Sequence, residues 1–180
     1  RSKVRNVERH YGEGDGRGEN IMNPTTVVEM DEDSYMEMET TQIKGVDSTV
    51  RTTNAKLGDR ATLIIKEKVM THGKQLAKSD FTVDLDGEDC HTNVISRSVA
   101  REDSKQVFLA RINGNNRCYG HSECDAIIMD HGVVAAIPEV TANCVDASLV
   151  HEAAIGKIAG EQLTKLMTLG LTEKEAEEQI

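Results

Sequence analysis

Residues 81–85 read Phe81-Thr-Val-Asp-Leu85 and alternate strictly between apolar and polar side chains, which is the period of a half-buried β-strand. Residues 35–40, Tyr-Met-Glu-Met-Glu-Thr, repeat this alternation. Further short runs rich in Val, Ile and Thr are distributed between residues 25 and 152. Turn-forming breaks such as Asp86-Gly87 separate them. Many short strands at fairly even spacing predict a β-sandwich, a β-barrel or a stacked β-solenoid.

The apolar composition favours the solenoid among these three folds. Aromatic residues make up 3% of the chain and tryptophan is absent, so we expect an interior filled by Val, Ile, Leu, Ala and Met. Layers of such aliphatic side chains suit the narrow interior of stacked coils. The sequence has no strict repeat of the kind that marks a regular solenoid.

Length and charge exclude several classes of protein. With 180 residues, 38% of them hydrophobic, the chain can bury the core of one domain. A formal charge of −10 excludes a nucleic-acid backbone or an anionic membrane as the main partner. No apolar run approaches the roughly 20 residues that span a bilayer, and no apolar signal core follows Arg1. Four cysteines in such a chain indicate a reducing compartment, and we expect a cytoplasmic protein.

The pattern divides the chain into three parts. Residues 1–24 include the glycine-rich run 12–18, which no helical period follows, and we expect a turn-rich, mobile N-terminal segment. Residues 25–153 form the predicted β-core. Residues 154–180 form a predicted C-terminal helical segment. Its first helix has an amphipathic stripe, Gly170 is a natural stop, and Thr172-Glu-Lys-Glu175 matches a capping box for a second helix. The stripe consists of Ile155, Ile158, Leu163, Leu166 and Met167.

Candidate ligands concentrate in Cys118-Tyr-Gly-His121-Ser-Glu-Cys124 and in His151-Glu152. Thiolate and imidazole are soft or borderline donors suited to iron, zinc or copper. Cys118, His121 and Cys124 could form a compact zinc loop, although structural zinc sites usually have two such pairs. Cys124 could equally be a buried small hydrophobe. His151 and Glu152 are adjacent on a predicted strand, where successive side chains point to opposite faces.

Four stretches resemble the SufB/SufD family, the scaffold proteins of the SUF iron–sulfur assembly system. They are Gly120-His-Ser-Glu-Cys-Asp-Ala-Ile-Ile-Met-Asp130, Ile137-Pro-Glu-Val140, Val150-His-Glu-Ala-Ala-Ile-Gly-Lys-Ile-Ala-Gly-Glu-Gln-Leu163 and Gly170-Leu-Thr-Glu-Lys-Glu-Ala176. The resemblance runs from about residue 61 to the end, and the block 151–163 is specific to that family. It implies a mainly β protein, a right-handed parallel β-helix followed by a short C-terminal α-helical segment.

The resemblance also implies a site and partners. SufB-type members have a cluster-assembly cysteine at the position of Cys124 and a glutamate at that of Glu152, and SufD-type members have a histidine at that of His151. The chain is therefore similar to a C-terminal piece of SufB, with these three residues as ligands of a transient iron–sulfur cluster. We expect a SufB/SufD-type homo- or heterodimer. The ABC-type ATPase SufC is expected to bind at Ile158, Leu163, Leu166 and Met167.

Two functions from different classes follow. The first is a non-enzymatic scaffold for cluster assembly; no P-loop occurs in the chain, so a partner would supply the nucleotide chemistry. The alternative is a zinc enzyme or structural-zinc β-domain that uses Cys118, His121 and Cys124. Iron with sulfide in the isolated protein would favour the first, and stoichiometric zinc the second.

Overall fold

The structure is a computed structural model, and it describes residues 2–12, 18–157, 166–172 and 175–176. It is a parallel β-solenoid of about five turns. The strands are β1 (Lys3–Tyr11), β2 (Ile21–Met22), β3 (Thr25–Met30), β4 (Tyr35–Lys44), β5 (Ser48–Leu57), β6 (Thr62–Thr71), β7 (Leu76–Leu85), β8 (Cys90–Ala100), β9 (Lys105–Gly114), β10 (Cys118–Ile128), β11 (Val133–Ala142) and β12 (Ala147–Lys157).

The strands form two sheets whose inner faces enclose the core. Sheet A has the order β1-β4-β6-β8-β10-β12, and sheet B has the order β11-β9-β7-β5-β2, with β3 also paired to β5. Tyr35 lies opposite Thr62, Leu63 opposite Thr92, and Thr92 opposite Gly120, so these turns take 27 to 29 residues. Equivalent positions on successive turns therefore form columns, and the solenoid prediction is confirmed.

The inner face is aliphatic because alternate residues of each strand point inward. Leu63, Val83, Leu85 and Ile112 have no exposed side-chain surface. Gly120 makes room for its neighbours, since a Cβ there would lie 2.7 Å from Ile112 Cγ2. The aliphatic, aromatic-poor composition is thus what lets the two sheets approach each other.

Ion pairs between successive turns hold the corners of the solenoid. Arg60 Nε donates to Asp33 Oδ1 (2.8 Å), and Arg117 Nε donates to Asp89 Oδ1 (2.7 Å). Asp33, Arg60 and Asp89 adopt φ angles of 56–57°, the left-handed conformation that aspartate tolerates better than most residues. Each corner thereby stacks on the equivalent corner of the previous turn.

The boundaries of the β-core differ from those expected. β1 begins at Lys3 and pairs with β4, so regular structure starts well before residue 25. β1 was missed because its outward residues are charged and its few apolar side chains, such as Val4 and Val7, are about half exposed. β12 continues to Lys157, past the expected end at residue 153.

The C-terminal segment is described only in part. Residues 166–168 are helical, and Gly170 has a φ of 97° as expected of a helix stop. The capping box is confirmed: Glu175 N donates to Thr172 Oγ1 (3.3 Å), and Thr172 N donates to Glu175 Oε2 (2.8 Å). Ile155, predicted to open the helical stripe, lies in strand β12.

Candidate functional site

Strand β10 carries most of the candidate ligands and separates them onto two faces. Cys118, Ser122 and Cys124 are buried, whereas His121 and Glu123 are partly exposed between them. β10 is one continuous strand from Cys118 to Ile128. Its even-numbered positions therefore point into the solenoid, and its odd-numbered positions point outward.

Cys124 lies on the inner face, with 1% of its surface exposed. Ser96 is its partner on β8, and Ala153 is its partner on β12. Burial, together with the negative charges of Glu67 and Asp125, raises the pKa of the Cys124 thiol to about 11. The thiol is therefore protonated near neutral pH, and a metal cation that replaces the proton would remove this penalty.

His151 also lies on the inner face, near Cys124. Its Nδ1 is 2.6 Å from Ser122 Oγ, which leaves Nε2 as the nitrogen that could bind a metal. Cys124 is paired with Ala153, and His151 lies two residues before Ala153 on the same strand. At ordinary strand spacing, the Cα atoms of Cys124 and His151 are therefore about 8 Å apart. Burial lowers the pKa of His151, nearby His121 lowers it further, and Glu152 opposes both. The neutral imidazole needed for metal binding is thus favoured.

Glu152 points away from both of them. It pairs with Glu123 across the strands on the outer face, and its side chain is 66% exposed. Its Oε2 lies 3.7 Å from His121 Nε2, and His121 Nδ1 lies 3.1 Å from Asn93 Oδ1. The structure therefore brings Cys124 and His151 to one face and leaves Glu152 on the other. In the described part of the chain, no three His, Cys, Asp or Glu side chains could jointly hold a metal ion.

The compact zinc loop is wrong for the same geometric reason. Cys118 and Cys124 point inward from β10, and His121 points outward from the same strand. A zinc ion needs every donor atom within about 2.0–2.3 Å of it, so side chains on opposite faces of a sheet cannot bind the same ion. The alternation of a continuous strand makes that impossible for these three residues.

The sequence did not indicate a charged layer that lies beside Cys124 in the interior. Arg51 and Glu67 are each 3% exposed and form an ion pair of 2.8 Å. Ser96 Oγ donates to Glu67 Oε2 (3.0 Å), and Ser79 Oγ donates to Glu67 Oε1. Lys66-Glu67-Lys68 resembles a solvated charged run. The one signal was that Glu67 shares the inward phase of Leu63, Ile65 and Val69.

Among the strands that the structure describes, none pairs with the outer edge of β11 or β12, so this end of the solenoid is open, one turn beyond Cys124. β11 and β12 are the terminal strands of the two sheets. Val140 continues the buried column of Val83 and Ile112, yet it is 47% exposed. Ala153, which covers Cys124, is exposed as well. We call Val140, Ala153 and the free edges of β11 and β12 the open end.

The predicted partner-binding residues are placed only in part. Leu166 is half-buried, and Met167 is 42% exposed in the short helix 166–168. Ile158 and Leu163 lie outside the described residues. Among the described residues, no helix is long and apolar enough to cross a membrane.

Comparison with known proteins gives a consistent result. The sequence profile described as "SUF system FeS cluster assembly, SufBD core domain" matches residues 10–180. An iron–sulfur cluster assembly SufBD family protein of Methanocaldococcus jannaschii is 32% identical over 173 residues, which cover 95% of this chain and 54% of that protein. The iron–sulfur cluster assembly protein SufB of Bacillus subtilis is 31% identical over 93 residues, or 49% of this chain and 20% of that protein. The chain thus spans about half the length of the first of these relatives and less of the second.

Proposed function

The chain belongs to the SufBD family of iron–sulfur cluster assembly proteins, and from that premise we propose that it is a non-enzymatic scaffold on which a cluster is built. One observation carries the proposal. Cys124 and His151 share the inner face of the last two strands of sheet A, beneath the open end. A thiolate and an imidazole are the protein ligands found in clusters with mixed coordination.

Glu152 enters the proposal as a ligand from the outer face. In one chain its carboxylate cannot join Cys124, because the two side chains point to opposite sides of sheet A. A cluster held by all three residue types therefore requires a second protomer. Such incomplete, mixed ligation from each chain suits a scaffold, because a cage of four thiolates would retain the cluster it must release.

The open end is the proposed surface for that second protomer. Terminal strands with free backbone groups readily pair with another chain, and apolar residues of the last turn, such as Val140 and Ile155, are 39–47% exposed there. A SufB/SufD-type protomer, identical or related, would cover this turn. Cys124 would then lie one turn from the interface.

Replacement of Cys124 by serine tests the scaffold proposal. We expect Cys124→Ser to abolish the oxygen-sensitive visible absorbance that forms when the full chain, with its ATPase partner, is supplied anaerobically with iron(II) and sulfide. The matched control is Cys144→Ser, which changes a partly exposed cysteine of a turn. Equal cluster yield from the two variants would refute the role of Cys124.

The dimer can be tested at the open end with a control at the other end of the solenoid. We expect Val140→Arg to shift the molar mass measured by light scattering toward that of a monomer, because a charge would be buried against the partner. Val7→Arg changes a valine of similar exposure, 48% against 47%, and should leave the mass unchanged. Loss of the dimer in both variants, or in neither, would contradict an interface at the open end.

An ABC-type ATPase of the SufC class is the proposed partner of the C-terminal stripe, Ile158, Leu163, Leu166 and Met167. We expect Met167→Glu to reduce co-purification with that ATPase, because a carboxylate would be buried in an apolar contact. Leu169→Glu is the control, since Leu169 lies off the stripe and is 75% exposed. Retained binding by Met167→Glu would show that the stripe serves another purpose.

A further inference from the structure

Three cysteines that the proposed function does not use lie together at one corner of the solenoid. Cys118 on β10 is directly opposite Cys90 on β8, and both point inward. Cys90 is fully buried, Cys118 is 6% exposed, and both are free thiols. Cys144 lies in the next turn, where its carbonyl oxygen accepts a hydrogen bond from Ala147 N (3.1 Å).

The neighbouring positions of this column show that cysteine is not needed for packing. Ala147 lies opposite Cys118 on the following turn. Ala61, whose carbonyl oxygen accepts a hydrogen bond from His91 N (2.9 Å), occupies the column on the preceding turn. Alanine thus fills the same corner on both sides of the pair. The Cys90 thiol donates a hydrogen bond to the Gly87 carbonyl oxygen (3.1 Å), and a metal ion bound there would replace that proton. The pair thus places two soft donor atoms at adjacent levels of a column that alanine would otherwise fill.

Strand spacing decides what the pair can do. Adjacent strands are about 4.8 Å apart, and in-register side chains on one face run nearly parallel. A disulfide needs Cβ atoms about 3.5–4.5 Å apart, so direct oxidation would require the two strands to move together. A metal ion between two thiolates, with bonds of about 2.3 Å each as for zinc, spans about 4.6 Å. The undistorted solenoid therefore fits a bridging ion better than a disulfide.

The number of ligands selects the type of ion. Within the described residues, no third His, Cys, Asp or Glu side chain completes a metal site. The pair therefore lacks the four ligands that tetrahedral zinc usually has. Copper(I) accepts two thiolates in linear coordination, and thiolates are the ligands that select it. The site is also dry, because Cys90 is fully buried and Cys118 is 6% exposed. This burial, with a smaller effect of Cys118, raises the pKa of the Cys90 thiol to about 11. A dry site protects copper(I) from water and oxidants.

We propose that Cys90 and Cys118 form a two-coordinate site for a soft monovalent ion of the copper(I) class, separate from the cluster site. Binding replaces two S–H protons, which pass to solvent, by two metal–sulfur bonds, and no electron is transferred. Cys144, partly exposed at the same corner, is the entry thiol. Its charge contributes to the raised pKa of Cys118, as expected of two sulfurs in close proximity.

Anaerobic titration of the full chain with copper(I), in competition with a chromogenic copper(I) chelator, tests the site. We expect one tightly bound ion per chain. Loss of a residue that only orients a metal ligand weakens metal affinity by about 10–100-fold. Cys90→Ala and Cys118→Ala each remove a ligand itself. We therefore expect either variant to weaken copper(I) binding by about a hundredfold or more. Both variants are expected to fold, because alanine occupies this column on the neighbouring turns; circular dichroism checks this.

The cluster residue provides the matched control. Cys124→Ala should leave copper(I) affinity unchanged and abolish cluster formation. Cys90→Ala should weaken copper(I) binding and leave cluster formation unchanged. Copper(I) affinity that depends on Cys124, or that survives the loss of both Cys90 and Cys118, overturns the proposal. A Cys90–Cys118 disulfide found by mass spectrometry in air-exposed protein would overturn the spacing argument.

Discussion

The middle turns of the solenoid and its last turn have the same strand register but very different surroundings. Val83 and Ile112 lie between turns on both sides and are fully buried, whereas Val140, next in the same column, is 47% exposed. A turn in a stacked fold is stabilised mainly by its two neighbours. Within the described residues, the last turn has a neighbouring turn on one side only, so its apolar side chains are more exposed than those of the middle turns.

The two regions also use polar residues differently. In the middle turns, the buried Glu67 carboxylate accepts hydrogen bonds from Arg51, Ser79 and Ser96. The Arg51 guanidinium also contacts His10 Nδ1 (2.7 Å), and its Nε is buried without a hydrogen-bond partner among the described residues. At the open end, His151 has Ser122 as its partner and keeps one ring nitrogen for a ligand. In the middle of the stack the buried carboxylate thus has several donors, while at the end of the stack one ring nitrogen of His151 remains available for a ligand.

The largest expected effect tests the buried ion pair of Arg51 and Glu67 in the middle turns. Glu67→Gln would leave the Arg51 guanidinium buried without its counter-charge, and loss of one partner of a buried ion pair costs about 3–5 kcal/mol. We expect the free energy of unfolding, measured with urea, to fall by that amount. Glu39→Gln, which breaks the exposed pair of Glu39 with Arg5 (2.8 Å), is the control and should have little effect. Similar losses of unfolding free energy in the two variants would contradict the expected difference between a buried and an exposed ion pair.

A smaller effect compares the two regions directly, with one substitution at two levels of one column. Val83→Ala creates a cavity between two turns and is expected to lower the free energy of unfolding by about 2 kcal/mol. Val140→Ala should lower it by less than about 1 kcal/mol in a monomer, because nearly half of that side chain is already exposed. Urea denaturation of both variants at low protein concentration measures this difference.

The same pair then reports on the proposed dimer. If a second protomer covers the open end, the loss caused by Val140→Ala grows at high protein concentration, because the valine is then buried in the interface. The loss caused by Val83→Ala does not depend on concentration. A concentration-independent effect at both positions would argue against coverage of the last turn.

Much of the fold could be predicted from the sequence, because alternation along each strand is a local signal. Phe81–Leu85 and Tyr35–Thr40 lie in β7 and β4 as their period indicated. β1 could not be predicted in this way, since its pairing with β4 supplies the order that its own side chains do not encode. Glu67 was missed because its buried charge is compensated by Arg51, a residue on the opposite sheet that is distant in sequence.

The site could be predicted only as a set of residues, because the sequence does not specify the level and face of each one. Cys124 and Glu152 are 28 positions apart, about one turn, which correctly indicated neighbouring strands. The face was decided by register: Cys124 pairs with Ala153, so Glu152 is out of phase by one residue and points outward. That single-residue phase is why one chain does not bring the three predicted ligands to the same face of the sheet.

The smallest expected effect is a pH dependence that sharpens the contrast at the open end. Burial lowers the pKa of His151 in the folded chain, so the unfolded chain, with an ordinary histidine pKa of about 6.5, binds more protons below that pH. Stability should therefore fall as pH drops below about 6.5 and level off below the folded pKa. His151→Gln is expected to reduce this slope, to which His10 also contributes because burial lowers its pKa. His131→Gln, which changes a histidine side chain that is 86% exposed, should leave the slope intact. Because His151 is only half-buried in one chain, coverage of the open end by a partner would lower its pKa further, and the slope should steepen as the dimer forms. A slope that is the same in monomer and dimer would place the partner elsewhere on the solenoid.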